Sequence, residues 1–163
     1  MNDDAALPCP DTPAPYFSLP LSSFRRINLS DLQGRPAVLV FYPGDWEPVS
    51  SEQLALYQEQ LPEIHRFGAA LIAISVDSVW SHAAFGRALG LSFPLLSDFH
   101  PKGAVSQAYG VYREVEGRSE RALCVLDAEG RVYWCRVYPT NLNPGIDPIL
   151  TALERIQAEK TEG

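Results

Sequence analysis

A chain of 163 residues with a net charge of −7 is long enough to bury a core as one domain without cross-links. Its acidic balance argues against nucleic acid and anionic membrane as partners, because both are held through basic patches. No apolar run approaches the length of a bilayer span, and no basic segment followed by an apolar one opens the chain. The three cysteines, Cys9, Cys124 and Cys135, form neither a CxxC pair nor a zinc-ligand spacing. An odd count without a leader fits a reducing cytoplasm, which is the expected location.

Residues 1–15 carry Pro8, Pro10, Pro13 and Pro15 among small and acidic residues and are expected to form an irregular arm. Residues 16–163 are expected to form one domain. Tyr16 to Leu19 and Phe24 to Leu29 predict a short hairpin at a sheet edge, and Gln33-Gly34-Arg35-Pro36 a turn. Ala37 to Tyr42 is continuously apolar, which predicts a strand covered on both faces. Leu54, Tyr57, Leu61 and Ile64 recur at helical spacing, with Pro62 expected to kink the last part of that helix. Ala69 to Val76 predicts a second buried strand, parallel to the first by the handedness of the crossover. Asp77 or Ser78 caps a helix closed by Gly90. A short strand over Phe93–Leu96 and a helix over Pro101–Tyr109 follow. Arg121–Leu126 and Arg131–Tyr138 predict a hairpin about Asp127–Gly130, and Asp147-Pro148 opens a C-terminal helix with Ile149, Leu153 and Ile156 facing inward. This order predicts an α/β, thioredoxin-like fold: a central mixed sheet flanked by helices, with an N-terminal hairpin.

Ligands of open α/β sheets bind beyond the carboxyl ends of the strands. Residues 41–52 occupy that place and read Phe-Tyr-Pro-Gly-Asp-Trp-Glu-Pro-Val-Ser-Ser-Glu. Here Phe-Tyr-Pro ends a buried strand, and the position seven residues after the proline lies at the mouth of a helix. That segment resembles the peroxiredoxins, the alkyl hydroperoxide reductase and thiol-specific antioxidant family, of the bacterioferritin-comigratory or one-cysteine-like type. The resemblance covers roughly residues 7–157. The family's reactive cysteine falls on Ser50. A thiol there would be drawn to the thiolate by unpaired amides of the helix N-terminus. A hydroxyl lacks that acidity and cannot enter the sulfur oxidation ladder, so the chain as written is expected to be inactive, a Cys-to-Ser form of a peroxidase.

The resemblance implies further roles. Arg121, in Ser119-Glu120-Arg121-Ala122-Leu123-Cys124-Val125-Leu126-Asp127, matches the family's catalytic arginine, which holds a thiolate charged and polarises the peroxide bond. Pro43 shields the reacting group and shapes the pocket. Position 47 usually carries threonine or serine in this family; Glu47 stands here and helps shape the pocket, and its carboxylate would oppose ionisation of a neighbouring thiol, accept a hydrogen bond from the peroxide or pair with Arg121. Ser81 falls where similar proteins often carry a resolving cysteine, so serines at both places suggest a paired replacement. Serine codons in the natural gene would instead make the chain a natural pseudo-enzyme. Trp46 is expected as a pocket wall, a dimer contact or a core residue. The family implies hydrogen peroxide or an organic hydroperoxide as substrate, a thioredoxin- or glutaredoxin-like reductant, a homodimer, and no cofactor or metal.

The remaining candidates carry less. Cys124 and Cys135 lie on adjacent hairpin strands and, depending on register, are neighbours or point to opposite faces; both are expected to be buried, inert thiols. Cys9 lies on the arm. His65, His82 and His100 share no ligand spacing and are expected at the surface or at caps. For Ser50 taken alone, a helix cap is the simplest role. A naturally inactive thioredoxin-fold binding module is the competing function. A thiol–disulfide oxidoreductase lacks its CxxC pair, and a serine hydrolase lacks the G-x-S-x-G pattern around Ser50.

Overall fold

The computed structural model describes residues 6–162, so the first five residues of the expected arm lie outside the described part. β1 (Ser18–Pro20) and β2 (Arg26–Asn28) pair as the N-terminal hairpin. β3 (Ala37–Phe41), β4 (Ala70–Ser75), β5 (Leu95–Ser97), β8 (Arg121–Leu126) and β9 (Val132–Tyr138) form the central sheet in the order β5-β4-β3-β8-β9. β3, β4 and β5 are parallel, while β8 and β9 run antiparallel. A small hairpin of β6 (Tyr112–Arg113) and β7 (Arg118–Ser119) precedes β8. Sequence reasoning missed it, because two-residue strands leave no periodic signal.

The strictly apolar β3 and β4 are buried at every residue because both sheet faces are covered. Side chains alternate between faces. Val38, Val40, Leu71, Leu123 and Val125 pack against Leu54 and Tyr57 of α1 (Pro48–Glu59), Ile64 of α2 (Leu61–Arg66), Phe85 of α3 (Val79–Leu89), and Ile149 and Leu153 of α5 (Asp147–Glu162). The other face carries Leu39, Phe41, Ile72, Ile74 and Cys124 against Phe17, Leu19, and Val105 and Tyr109 at α4 (Ala104–Ala108). Pro62 does more than kink the predicted helix: the chain breaks at Gln60, and Pro62 opens α2. No helix among the described residues is long and apolar enough to cross a membrane.

Three expectations change. The helix expected from Pro101 starts only at Ala104. The carboxylate of Asp98 accepts hydrogen bonds from the Val105 and Ser106 amides at 3.0 and 2.8 Å. The donors of the first turn are therefore satisfied from outside, and Gly103 turns the chain at φ 71°. His82 is no surface residue: it is 3 % exposed, held between the Asp45 carboxylate and the Leu96 carbonyl. Cys124 and Cys135 are not inert thiols but form a disulfide.

The hairpin register explains the bond. Next to the turn Leu126 pairs with Val132; continued unchanged, that register would put Cys124 opposite Trp134. An irregularity between Val125 and Leu126 shifts the ladder by one residue, and Cys124 then faces Cys135 directly.

Candidate active site

β3 delivers the chain to its carboxyl end, and residues 42–46 lead across to α1. Tyr42 and Pro43 are buried there. Trp46 adopts φ 71°, a left-handed conformation that costs a bulky side chain on the order of 1–3 kcal/mol. Its indole meets Phe85 edge-on, with ring centroids 5.2 Å apart, while more than half of the residue stays exposed. That turn aims the next residue, Glu47, back over the start of α1.

Glu47, not Ser50, caps the helix. Its Oε2 accepts the Val49 amide at 2.8 Å and its Oε1 the Ser50 amide at 2.9 Å. A carboxylate is well placed at this end of the helix dipole. Oε1 also accepts the Ser50 hydroxyl at 2.6 Å. The helix amides expected to hold a negative centre at position 50 are thus directed to the carboxylate of Glu47.

Arg121, the first residue of β8, reaches this cluster across the sheet, because β8 lies beside β3. It is fully buried. Nη1 donates to Ser50 Oγ at 3.0 Å and to Gln53 Oε1 at 2.8 Å. Nη2 donates to Glu47 Oε1 at 2.6 Å and to the Thr140 carbonyl at 2.7 Å, and Nε donates to the same carbonyl at 3.1 Å. A guanidinium has five N–H donors, and all five are engaged. Gln53 donates onward to Tyr57, whose hydroxyl donates to the Gly145 carbonyl. Ser50, Gln53 and Tyr57 stand at i, i+3 and i+7, one face of α1 turned toward Arg121.

Burial pushes the Glu47 carboxyl up, yet hydrogen bonds from the Ser50 hydroxyl, Arg121 and the two amides outweigh it and hold the group at about 2. In the unfolded chain the same group titrates near ~4.3. A depressed carboxyl adds stability that is complete above its unfolded value and is lost as pH falls through the folded one. The parent chain is therefore expected to lose thermal stability between about pH 4 and pH 2 more steeply than Glu47→Gln. Parallel melting curves of the two proteins across that window would remove the assignment.

A second network steadies the loop from behind. The Asp45 amide donates to Asp77 Oδ2 at 2.8 Å, and the Asp45 carboxylate accepts from Tyr42 at 2.7 Å and Ser81 at 2.8 Å. His82 Nδ1 lies 2.8 Å from Asp45 Oδ2, and its Nε2 lies 3.0 Å from the Leu96 carbonyl. Asp45, Asp77 and His82 are the group among the described residues whose atoms lie close enough to share a metal ion, but these atoms already meet protein partners. Ser50, Glu47 and Arg121 are thus brought together, Pro43 lies in the loop joining β3 to α1, and Ser81 belongs to the Asp45 and His82 network. His65 and His100 are exposed. Gln53, Thr140 and Asp45 escaped sequence reasoning. The spacing of Gln53 from Ser50 held that signal, whereas the Thr140 backbone carbonyl left none.

Comparison with known proteins gives a consistent assignment. Residues 10–135 match the AhpC/TSA family. The chain is 37 % identical over 118 residues to alkyl hydroperoxide reductase E of Mycobacterium tuberculosis (strain ATCC 25618 / H37Rv), spanning 72 % of this chain and 77 % of that protein. It is 29 % identical over 161 residues to peroxiredoxin-2 of Bos taurus, spanning 93 % and 80 %. The reduced 2-Cys peroxiredoxin of Plasmodium vivax superposes with a TM-score of 0.85 at 26 % identity, over 93 % of this chain and 83 % of that one. For the AhpC of Enterococcus faecalis the TM-score is 0.84 at 23 % identity, over 93 % of both chains. With residues 10–135 of its 163 matching the family and a thioredoxin-like sheet, the chain belongs to the AhpC/TSA family, the peroxiredoxins.

Proposed function

We propose that the cluster around position 50 is a thiol-peroxidase site whose sulfur has been replaced by the oxygen of Ser50, so that this chain does not turn over through that residue. One observation carries the reading: a fully buried guanidinium stands 3.0 Å from Ser50 Oγ at the start of α1. Burying a cation is costly unless its partners are arranged around it. A cation here suits an anion at position 50 and the charge that grows on the leaving oxygen of a peroxide. In the active form a thiolate at 50 attacks hydrogen peroxide or an organic hydroperoxide, water or alcohol departs, and a thioredoxin- or glutaredoxin-like thiol reduces the sulfenic acid. Arg121 holds the charge, Pro43 shields the reacting atom, and Ser81 stands at the resolving position. Neither metal nor organic cofactor enters this chemistry, and the cytoplasm is its setting.

The test is peroxide consumption by the parent chain beside Ser50→Cys, with a thiol reductant in excess. Rapid consumption by the variant alone is expected. If neither protein consumes peroxide, the binding-module reading replaces this one.

Phe24, Trp80 and Phe99 are exposed and line one groove, and Trp46 is exposed beside the active-site loop. Exposed aromatic patches mark interaction surfaces, and we assign this one to a homodimer contact. Sedimentation equilibrium is expected to show a dimer that Trp80→Asp dissociates. A monomeric parent chain removes the assignment.

A further inference from the structure

The disulfide lies outside the site just described. Cys124 and Cys135 stand directly opposite each other on β8 and β9, with Cα atoms 4.1 Å apart, close to the roughly 4.5 Å of a pair that exchanges no backbone hydrogen bonds. The two sulfurs differ in access. Cys124 is 3 % exposed, and β3 and β9 cover its strand on both sides, Leu39 pairing with it from β3. Cys135 is partly exposed and lies on the edge strand. Residues 11–14 hydrogen-bond to the start of β9 and the preceding turn, at Val132 and Gly130, three residues or more short of Cys135.

The hairpin that the bond ties together also holds Arg121. That residue begins β8, three positions before Cys124, and pairs with Tyr138, the last residue of β9. Two positions further on, the Thr140 carbonyl takes two of its donors. The bond therefore joins the two strands that present the guanidinium and its backbone acceptor.

We propose that Cys124–Cys135 is a second, reversible redox site, opened by a dithiol reductant at the Cys135 sulfur and closed again by hydrogen peroxide. A reductant thiolate attacks Cys135 Sγ, forming a mixed disulfide and releasing Cys124 as a thiolate that takes up a proton. The reductant's second thiol then attacks its own sulfur in that mixed disulfide. The reductant leaves as its disulfide, and Cys135 leaves as a thiolate that is protonated in turn. Two electrons and two protons have entered the protein. On return the Cys135 thiolate attacks one oxygen of hydrogen peroxide, giving a sulfenic acid and, after proton transfer, water. The Cys124 thiol attacks that sulfur, closes the S–S bond and releases the second water. Exchange rates follow access to the attacked sulfur, which assigns Cys135 as the point of entry. Because the couple contains no atom of residue 50, it operates in the chain as written and is separable from the position-50 reading.

The test treats the parent chain, without denaturant, with dithiothreitol as the dithiol probe, removes the probe, alkylates the free thiols in urea so that buried Cys124 is reached, and maps them by peptide mass spectrometry. Both Cys124 and Cys135 are expected to become alkylated while the far-ultraviolet circular dichroism holds. One equivalent of hydrogen peroxide, added before alkylation, is expected to restore the same disulfide. Oxidised glutathione is expected to modify Cys135 in Cys124→Ala on the order of tenfold or more faster than Cys124 in Cys135→Ala. A bond that yields only after guanidinium is added is a structural staple, and that result overturns the proposal. So does reoxidation that joins Cys135 to Cys9, or equal adduct rates at the two positions. The parent-chain measurement decides the matter even if either variant fails to fold.

Discussion

Ser50→Cys/Glu47→Thr is expected to consume hydrogen peroxide at neutral pH faster than Ser50→Cys alone, on the order of tenfold or more. The reason lies in the Glu47 carboxylate. Its Oε1 lies 2.6 Å from Ser50 Oγ and takes a hydrogen bond from that hydroxyl. A thiolate has no proton to give, so the carboxylate would face it as a like charge and oppose its formation. Glu47 also holds the Val49 and Ser50 amides and one Arg121 Nη2 donor. Beside Arg121 Nη1, which already donates to position 50, these donors could stabilise an anion there. Threonine removes the charge, frees those donors and can itself donate. The thiolate absorbance of the two variants, titrated against pH, separates an effect on ionisation from an effect on substrate access. Equal titration curves and equal rates would show that Glu47 does not restrain the site.

The like-charge conflict at position 47 was legible in the sequence, whereas the capture of the Val49 and Ser50 amides by Glu47 was not. The strand-end position of Ser50 followed from continuous apolar runs and from the rule that sites gather where strands end, whereas Arg121 was singled out by the resemblance to the peroxiredoxins. Other features depended on interactions that leave no local pattern. Thr140 contributes a backbone carbonyl, which any residue would supply. The Cys124–Cys135 bond depends on a one-residue shift in the β8–β9 ladder, and a bulge without a glycine gives no sign in the sequence. His82 sits on α3 among small and apolar residues. Its burial follows from Asp45, 37 residues earlier, being turned toward it by the loop after β3. The helix-start rule failed at Pro101 because a carboxylate outside the helix, that of Asp98, had already taken the amides.

Arg121→Met is expected to cost about 3–5 kcal/mol of stability, the usual penalty for removing one partner of a buried ion pair. With roughly 2–4 °C per kcal/mol in a chain of this size, the melting temperature falls by about 6–20 °C. Glu47 keeps 24 % of its side chain exposed, so water partly recovers that carboxylate and the loss belongs toward the lower end. Gln53 has no such recourse, because it is fully buried on α1 and Arg121 donates to its Oε1. Arg121→Lys is expected to fall between parent and Arg121→Met. A single ammonium carries the charge but cannot reach Ser50, Gln53, Glu47 and Thr140 together as a planar fork does. Adding Glu47→Gln to Arg121→Met is expected to cost less than the two single losses added, since each single change already breaks the same pair. Strict additivity, measured by denaturant unfolding of all four proteins, would mean that the guanidinium is held by Ser50, Gln53 and Thr140 alone. The 2.6 Å contact with Glu47 would then contribute nothing to the fold, and the cost of replacing the carboxylate would be that of the helix cap it gives to the Val49 and Ser50 amides.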